Sequence, residues 1–397
     1  MTNAPEKISP GQKKGNQTMK QPSGGNIRTW GSRYVFLCGS VLALLGLSLL
    51  HGEAHPYSFL TLTNLPGIVC RVIFDAFLAV SAVALIFKLM HWKDYSRTFW
   101  KQPGVVKASC TAFLPVACGC VLTLIDRGLL RLIYTIRLCA QLESNPKTFG
   151  SSMIYMSLKG KDMLFTGIWT TVRIALLGTG IAFVLAIFMV FLRIQTPDKR
   201  DNDAVKALKW LASHFASFYV FVIRGTPMMV QALIFYYFGF NLFKKTNMTV
   251  TEINHVWSFF ISGLCTVSLN STAYLTEVLR GGILAVDRGQ TEAARSLGMT
   301  NWQTMLKVVF PQAVKNSIPA IGNEFIINIK DSSVLSVIGV MDLMYATKSI
   351  SGIYFRSLEI YCVAAILYLI LTWLSSRLLQ YLGKKLDTPV KGIPSSN

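Results

Sequence analysis

AYLTEVLRGGILAVDRGQTEAARSLGMTNWQTMLKVVFP, residues 273–311, is where an uncharged run gives way to a short polar region, and its reading decides the fold. Upstream, Val256 to Thr276 is 21 residues without a charge, long enough to cross a hydrocarbon core at ~1.5 Å per residue. Charge returns at Glu277 and Arg280, and the pattern becomes helical but short. Thr291 to Leu297 spells two turns, and Gly298 stands where a left-handed cap stops them. A second helix starts at once, with Thr300 as N-cap and Gln303 three residues on to complete a capping box. Pro311, lacking an N–H, is expected to interrupt or redirect that helix. Two short helices with defined ends at a membrane face are what a docking surface requires, although a polar loop that needs only solubility is also often helical.

Working outward, apolar runs of span length recur along the chain. Of 397 residues 52% are hydrophobic and only 15% charged, against about a quarter charged in soluble domains. The class is an all-α polytopic membrane protein. The net charge of +20 lies largely in tails and in loops between apolar runs, where it fixes topology. Nucleic acid is therefore not expected as a partner. The eight cysteines are scattered, mostly within apolar runs, and with the five histidines they complete no metal-ligand spacing. No GxxxxGK[ST], HExxH or GxSxG pattern occurs, so an enzyme is not expected, and any ATP that drives transport must be hydrolysed by another subunit.

Taken in order, residues 1–33 read as a disordered basic cytoplasmic tail. Tyr34 to Leu50 is a first span. Leu65 to Met90 is a second, with Arg71 and Asp75 four apart so that one helical face holds them as a pair. Ala108 to Ile125 is a third. The basic stretch Asp126 to Lys161 falls outside by parity, against the positive-inside rule, and its Arg127, Arg131 and Arg137 fit an interfacial helix. These runs form an accessory region, residues 34–160. Then come Ile174 to Leu192, Ala212 to Phe243 broken at Arg224-Gly225-Thr226-Pro227, Val256 to Thr276, Asn316 to Met344, and Ile360 to Ser376. Basic flanks place residues 193–209, 277–311 and the tail 384–397 in the cytoplasm, with both termini inside.

The polar residues of the seventh run are costly against lipid unless the helix is broken or lines a cavity. Glu324 and Lys330, six apart, point in different directions on a regular helix, while Asn323, Asn328, Asp331, Ser332 and Ser333 add hydrogen-bonding capacity. They either border a path for a zwitterionic solute or pair with neighbouring helices to hold the bundle.

Several separated motifs carry a resemblance. Arg224 to Gln231 (RGTPMMVQ) resembles a segment of permease subunits of bacterial ABC importers for polar amino acids, of the histidine, glutamate, glutamine, arginine and opine type. Ala273 to Ile283 and Gly289-Gln290 are similar to the segment leading into their cytoplasmic signature. In that signature Glu292-Ala293-Ala294, Gly298 and Pro311 fit, and Val308 and Phe310 replace an Ile and a Leu. Pro319, Asn323, Lys330 and Ser332 continue the likeness, with Val334 where a Leu is usual. It covers roughly residues 166–380. The resemblance implies a five-span permease core, residues 161–383, preceded by about three extra spans, with a coupling region at 281–311 that docks on an ATPase through Glu292, Ala293, Ala294, Gly298 and Pro311. With the polar residues of the seventh run, it puts the expected translocation path or gate at Arg224, Gln231, Glu277, Asn323, Glu324, Lys330 and Ser332. The implied partners are a second permease, identical or related, two cytoplasmic ATPase subunits that carry the ATP and Mg, and an extracytoplasmic amino-acid-binding protein, at the bacterial inner membrane. An ion-gradient-driven secondary amino-acid transporter is the alternative, and it gives no reason for the two-helix module.

Overall fold

The computed structural model describes residues 27–91, 103–198 and 201–385, all helix and loop. Most of the expected tails, residues 1–26 and 386–397, and residues 92–102 and 199–200 lie outside the described residues. The chain divides into two compact units, 1–138 and 139–397.

The first unit holds α1 (Ile27–Leu50), α2 (Leu65–Met90), α3 (Pro103–Leu124), a π-helical turn (Ile125–Leu130) and the start of α4 (Arg131–Gln141). Helix α1 begins within the stretch expected to be a tail. Ala43, Leu50, Leu60, Phe74, Phe77 and Val116 form its core. The Arg71–Asp75 pair forms, at 3.5 Å and half exposed. The expected interfacial helix at Asp126 is not separate. Instead α3 runs through the π turn into α4, and Lys107–Gln141 is one apolar helix of 35 residues.

What permits two adjacent charges in that helix is the loop ahead of α2. Asp126 accepts from Ser58 Oγ at 2.6 Å and the Phe59 amide at 2.8 Å, its carbonyl lies 2.8 Å from His55 Nε2, and Arg127 donates to the Leu60 carbonyl at 2.8 Å. Both side chains are buried and bear on each other at 3.4 Å. Such buried charges persist only when paired and hydrogen-bonded.

The second unit contains α5 (Phe149–Lys159), α6 (Lys161–Arg193), α7 (Asp203–Gly225), α8 (Met228–Lys244), α9 (Val250–Val256), α10 (Phe259–Leu284), α11 (Arg288–Ser296), α12 (Asn301–Thr304), a π turn (Met305–Val309), α13 (Phe310–Asp331), a 3-10 segment (Ser332–Ile338), α14 (Leu343–Tyr354) and α15 (Ser357–Lys385). Helix α6 packs along α10, with Ala182, Ala186, Val190, Leu275 and Leu279 between them. A second cluster, including Met156, Leu164, Leu343, Ile350 and Ile360, joins α5, α6, α14 and α15.

Among the described residues four helices are long and apolar enough to cross a membrane: Leu65–Met90, Lys107–Gln141, Lys161–Arg193 and Ser357–Gly383. The pair α7 and α8, bent by 112° at the Gly-Thr-Pro break, makes five if counted as one span. Helix α10, the uncharged run of the opening stretch, is not among them because it is rich in buried hydroxyls. Thr266, Ser268, Thr272 and Thr276 each donate to the carbonyl four residues back, at 2.6–2.9 Å, so their polarity is satisfied within the helix and small side chains face α6.

The seventh run is broken, as its polarity requires. Helix α13 ends at Asp331, the 3-10 segment follows, and Gly339 turns the chain at φ +95° into α14, which Asp342 caps by accepting from the Tyr345 amide at 2.8 Å. Pro311 does not interrupt the preceding helix. The π turn over Met305–Val309 widens the backbone, so the Phe310 amide reaches back to Met305, and Pro311 falls in the first turn of α13, where no donor is needed.

Candidate functional site: a two-helix knob and a polar seam

The knob follows α10 directly. Asp287 caps α11 by accepting from the Gly289 amide at 2.7 Å. Its far end closes in a Schellman arrangement: the Gly298 amide bonds the Arg295 carbonyl at 2.9 Å and the Met299 amide that of Ala294 at 3.2 Å, with Gly298 at φ +80°. The capping box forms as read, Thr300 with Gln303. Because α11 starts at Arg288, Glu292 sits in the second turn rather than the first, and the carboxylate facing the orphan amides belongs to Asp287.

Glu292 and Ala293 are exposed, Ala294 is buried on the inner side of α11, Gly298 borders open space, and Pro311 is exposed. The knob is held to the bundle by rings. Phe191, near the end of α6, lies 5.5 Å from Trp302 edge-on and 4.9 Å from Phe310. It nevertheless presents apolar surface: Leu297 is 81% and Trp302 53% exposed. Covering Leu297 alone is worth about 1.5–3 kcal/mol.

The seam lies deeper. At the Gly-Thr-Pro break α7 leaves carbonyls without helical partners. Gln231, 4% exposed, takes up this role: its Nε2 donates to the Ile223 carbonyl at 2.7 Å, the Thr226 carbonyl at 3.0 Å and Thr226 Oγ1 at 2.8 Å, and its Oε1 accepts from Asn270 at 2.8 Å. One residue along α10, Ser271 meets Asn328 of α13, whose Nδ2 also donates to Thr179 of α6 at 2.8 Å. Glu324 is buried beside Ser271. Ser332 is buried, its hydroxyl on the Ile329 carbonyl at 3.0 Å, whereas Asn323 and Lys330 are exposed. Glu324 and Lys330 are thus not brought together.

Glu277 and Arg224 stand near each other at the end of the seam beside the α6 C-terminus. Glu277 takes Arg193 on one carboxylate oxygen and Arg280, at 3.0 Å, on the other, and Arg224 stands 4.0 Å away over the Tyr274 ring. Arg193, Arg224, Tyr274 and Glu277 border a cavity of about 420 Å³. The sequence reading did not single out Arg193, Asn270, Ser271 or Thr179. Arg193 reads there as a topological charge, and an isolated Asn in an apolar run was the one signal pointing to Asn270. Among the described residues no group of three or more His, Cys, Asp or Glu is placed to hold a metal.

Residues 204–388 match the family described as binding-protein-dependent transport system inner membrane component. The glutamine transport system permease protein GlnP of Escherichia coli (strain K12) is 35% identical over 177 residues, 45% of this chain and 77% of GlnP. The octopine transport system permease protein OccM of Rhizobium radiobacter is 35% identical over 218 residues, 53% of this chain and 85% of OccM. A chain from the crystal structure of an amino acid ABC transporter with histidines is 34% identical, covering 57% of this chain and 96% of its own, with a TM-score of 0.48. On the family match and the two relatives of 35% identity, the chain belongs to the family of inner membrane components of binding-protein-dependent transport systems.

Proposed function

We propose that this chain is the permease subunit of an ATP-driven importer for a polar amino acid or an opine, and that α11 and α12 take force from a separate cytoplasmic ATPase. The observation that carries the reading is the knob: both ends of α11 are fixed by local caps, and Leu297 and Trp302 stand uncovered beside it. Two ATPase subunits closing on ATP would push a rigid knob of this kind, biasing paired permeases between inward and outward openings. The ATP and Mg belong to those subunits. A second permease, the same chain or a relative, completes the path, and an extracytoplasmic binding protein delivers the solute. Glutamine, octopine and histidine in the names of the similar proteins support a zwitterionic amino acid as substrate class.

In this reading residues 161–383 form the core, 34–160 an accessory membrane region, both termini face the cytoplasm, and eight crossings are made in all. Arg224, Gln231, Glu277, Asn323, Glu324, Lys330 and Ser332 belong to the path or its gate. Gln231 acts there by holding the helix break open rather than by touching solute. In the assembled complex, Glu292→Lys and Gly298→Asp are expected to leave the bundle inserted while reducing both ATPase co-purification and amino-acid-stimulated ATP hydrolysis. Wild-type yield and stimulation in both variants would reject the reading.

A further inference from the structure

The cavity at the α6 end of the seam has an unbalanced charge. Two guanidinium groups, Arg193 and Arg224, and one carboxylate, Glu277, line it, a net charge of +1, and Arg280 pairs with Glu277 from outside the lining. Both oxygens of Glu277 are already taken by Arg193 and Arg280. At 4.0 Å, Arg224 stands beyond hydrogen-bond reach of that carboxylate. It lies over the face of Tyr274, its centre 5.2 Å from the ring centroid, a contact that does not use its N–H donors. Its side chain is 45% exposed, and it borders the cavity with Ser217 and Phe221. A volume of about 420 Å³ accommodates a free amino acid.

We propose that this cavity is a binding site for the carboxylate of a small solute, with Arg224 as the bidentate anchor. The Tyr274 ring and Phe221 form its apolar walls, and Glu277, pinned by Arg193 and Arg280, holds the site's geometry. Planar two-point recognition of a carboxylate is what an arginine supplies and a lysine does not. The inference rests on the transport reading above and deepens it: the solute is recognised by its α-carboxylate at the break between α7 and α8, the one bend in the core that the Gln231 clamp holds fixed.

The test uses the assembled complex in nanodiscs and follows modification of Arg224 by phenylglyoxal with mass spectrometry. The probes are a mixture of the common amino acids, the corresponding amino acid amides, inorganic phosphate, and phosphatidylglycerol in place of phosphatidylcholine. The amino acids are expected to slow modification of Arg224, and the amides, phosphate and anionic lipid to leave it unchanged. Arg224→Lys is expected to weaken binding of the amino acid that stimulates ATP hydrolysis best by roughly tenfold, the loss of one charged hydrogen bond. Protection by the amides as strong as by the acids, stronger protection by phosphate or by lipid, or none at all would overturn the proposal. Amino-acid-stimulated ATP hydrolysis is measured on the same sample. Stimulation without protection refutes the carboxylate site alone, whereas absence of stimulation counts against the importer reading.

Discussion

Replacing Gly298 by alanine isolates backbone conformation from contact. The residue sits at φ +80°, and a Cβ placed there meets nothing within 4 Å, so neither packing nor a clash enters. What remains is the cost of a left-handed alanine, about 1–2 kcal/mol. That strain is relieved only if the turn opens, breaking the Gly298–Arg295 and Met299–Ala294 bonds and letting α11 swing relative to the Thr300 cap. If the ATPase binds only the closed turn, 1–2 kcal/mol lowers its affinity by up to roughly 5- to 30-fold, the full effect being reached where the open turn is already populated. The assay is titration of the purified ATPase onto the permease in nanodiscs, beside the thermal midpoint of the permease alone. Gly298→Asn, which tolerates the left-handed region, is the control and is expected to lose much less. Affinity of the alanine variant equal to wild type would refute the claim that the turn positions the knob, as would an equal loss in both variants.

Other perturbations test the seam and α9. Gln231→Leu strands the Ile223 and Thr226 carbonyls and the Asn270 amide, at about 1–3 kcal/mol for a buried group left unpaired, and is expected to lower the thermal midpoint in detergent; Gln231→Glu, which sets acceptor oxygens against the same two carbonyls, is expected to lower it as well. Asn328→Ala removes the links to Thr179 and Ser271 and is expected to cost about 0.6–1.7 kcal/mol, read as the same midpoint, since intramembrane hydrogen bonds are individually modest. At α9, hydrogen bonds from the Thr249 amide and hydroxyl hold the Glu252 carboxyl below its ordinary 4.5. A carboxylate depressed in the folded state stabilises above its unfolded pKa and loses that contribution as pH falls. Amide exchange in residues 249–256 is therefore expected to accelerate, beyond the intrinsic rate, below about pH 4.5, and Glu252→Gln to flatten that dependence.

Local chemistry was legible from the residues themselves. Gly298 and the Thr300–Gln303 box form as read because each depends on backbone geometry within a few positions. The same holds for the break at Gly225-Thr226-Pro227. The helix expected from Thr291 starts nearly a turn earlier because Asp287 opens it, and an Asx cap with Gly289 two residues on reads equally well as a turn. Pro311 was misread because a π turn, which no residue pattern marks, absorbs it. Where function concentrates, the contacts are distant in sequence. Arg193 reaches Glu277 across 84 positions and Asn328 reaches Thr179 across 149. Likewise the charges at Asp126 and Arg127 look misplaced in a span until Ser58 and Leu60 are seen beside them.

The central claim is that a small cytoplasmic knob receives the push of an ATPase. Its most direct test is a single cysteine at Ala293, an exposed position on α11, in a background with the native cysteines replaced. An impermeant maleimide is expected to reach it only from the cytoplasmic side, and bound ATPase to block the reaction. Labelling from the outer side, or labelling that the ATPase does not slow, would contradict the account.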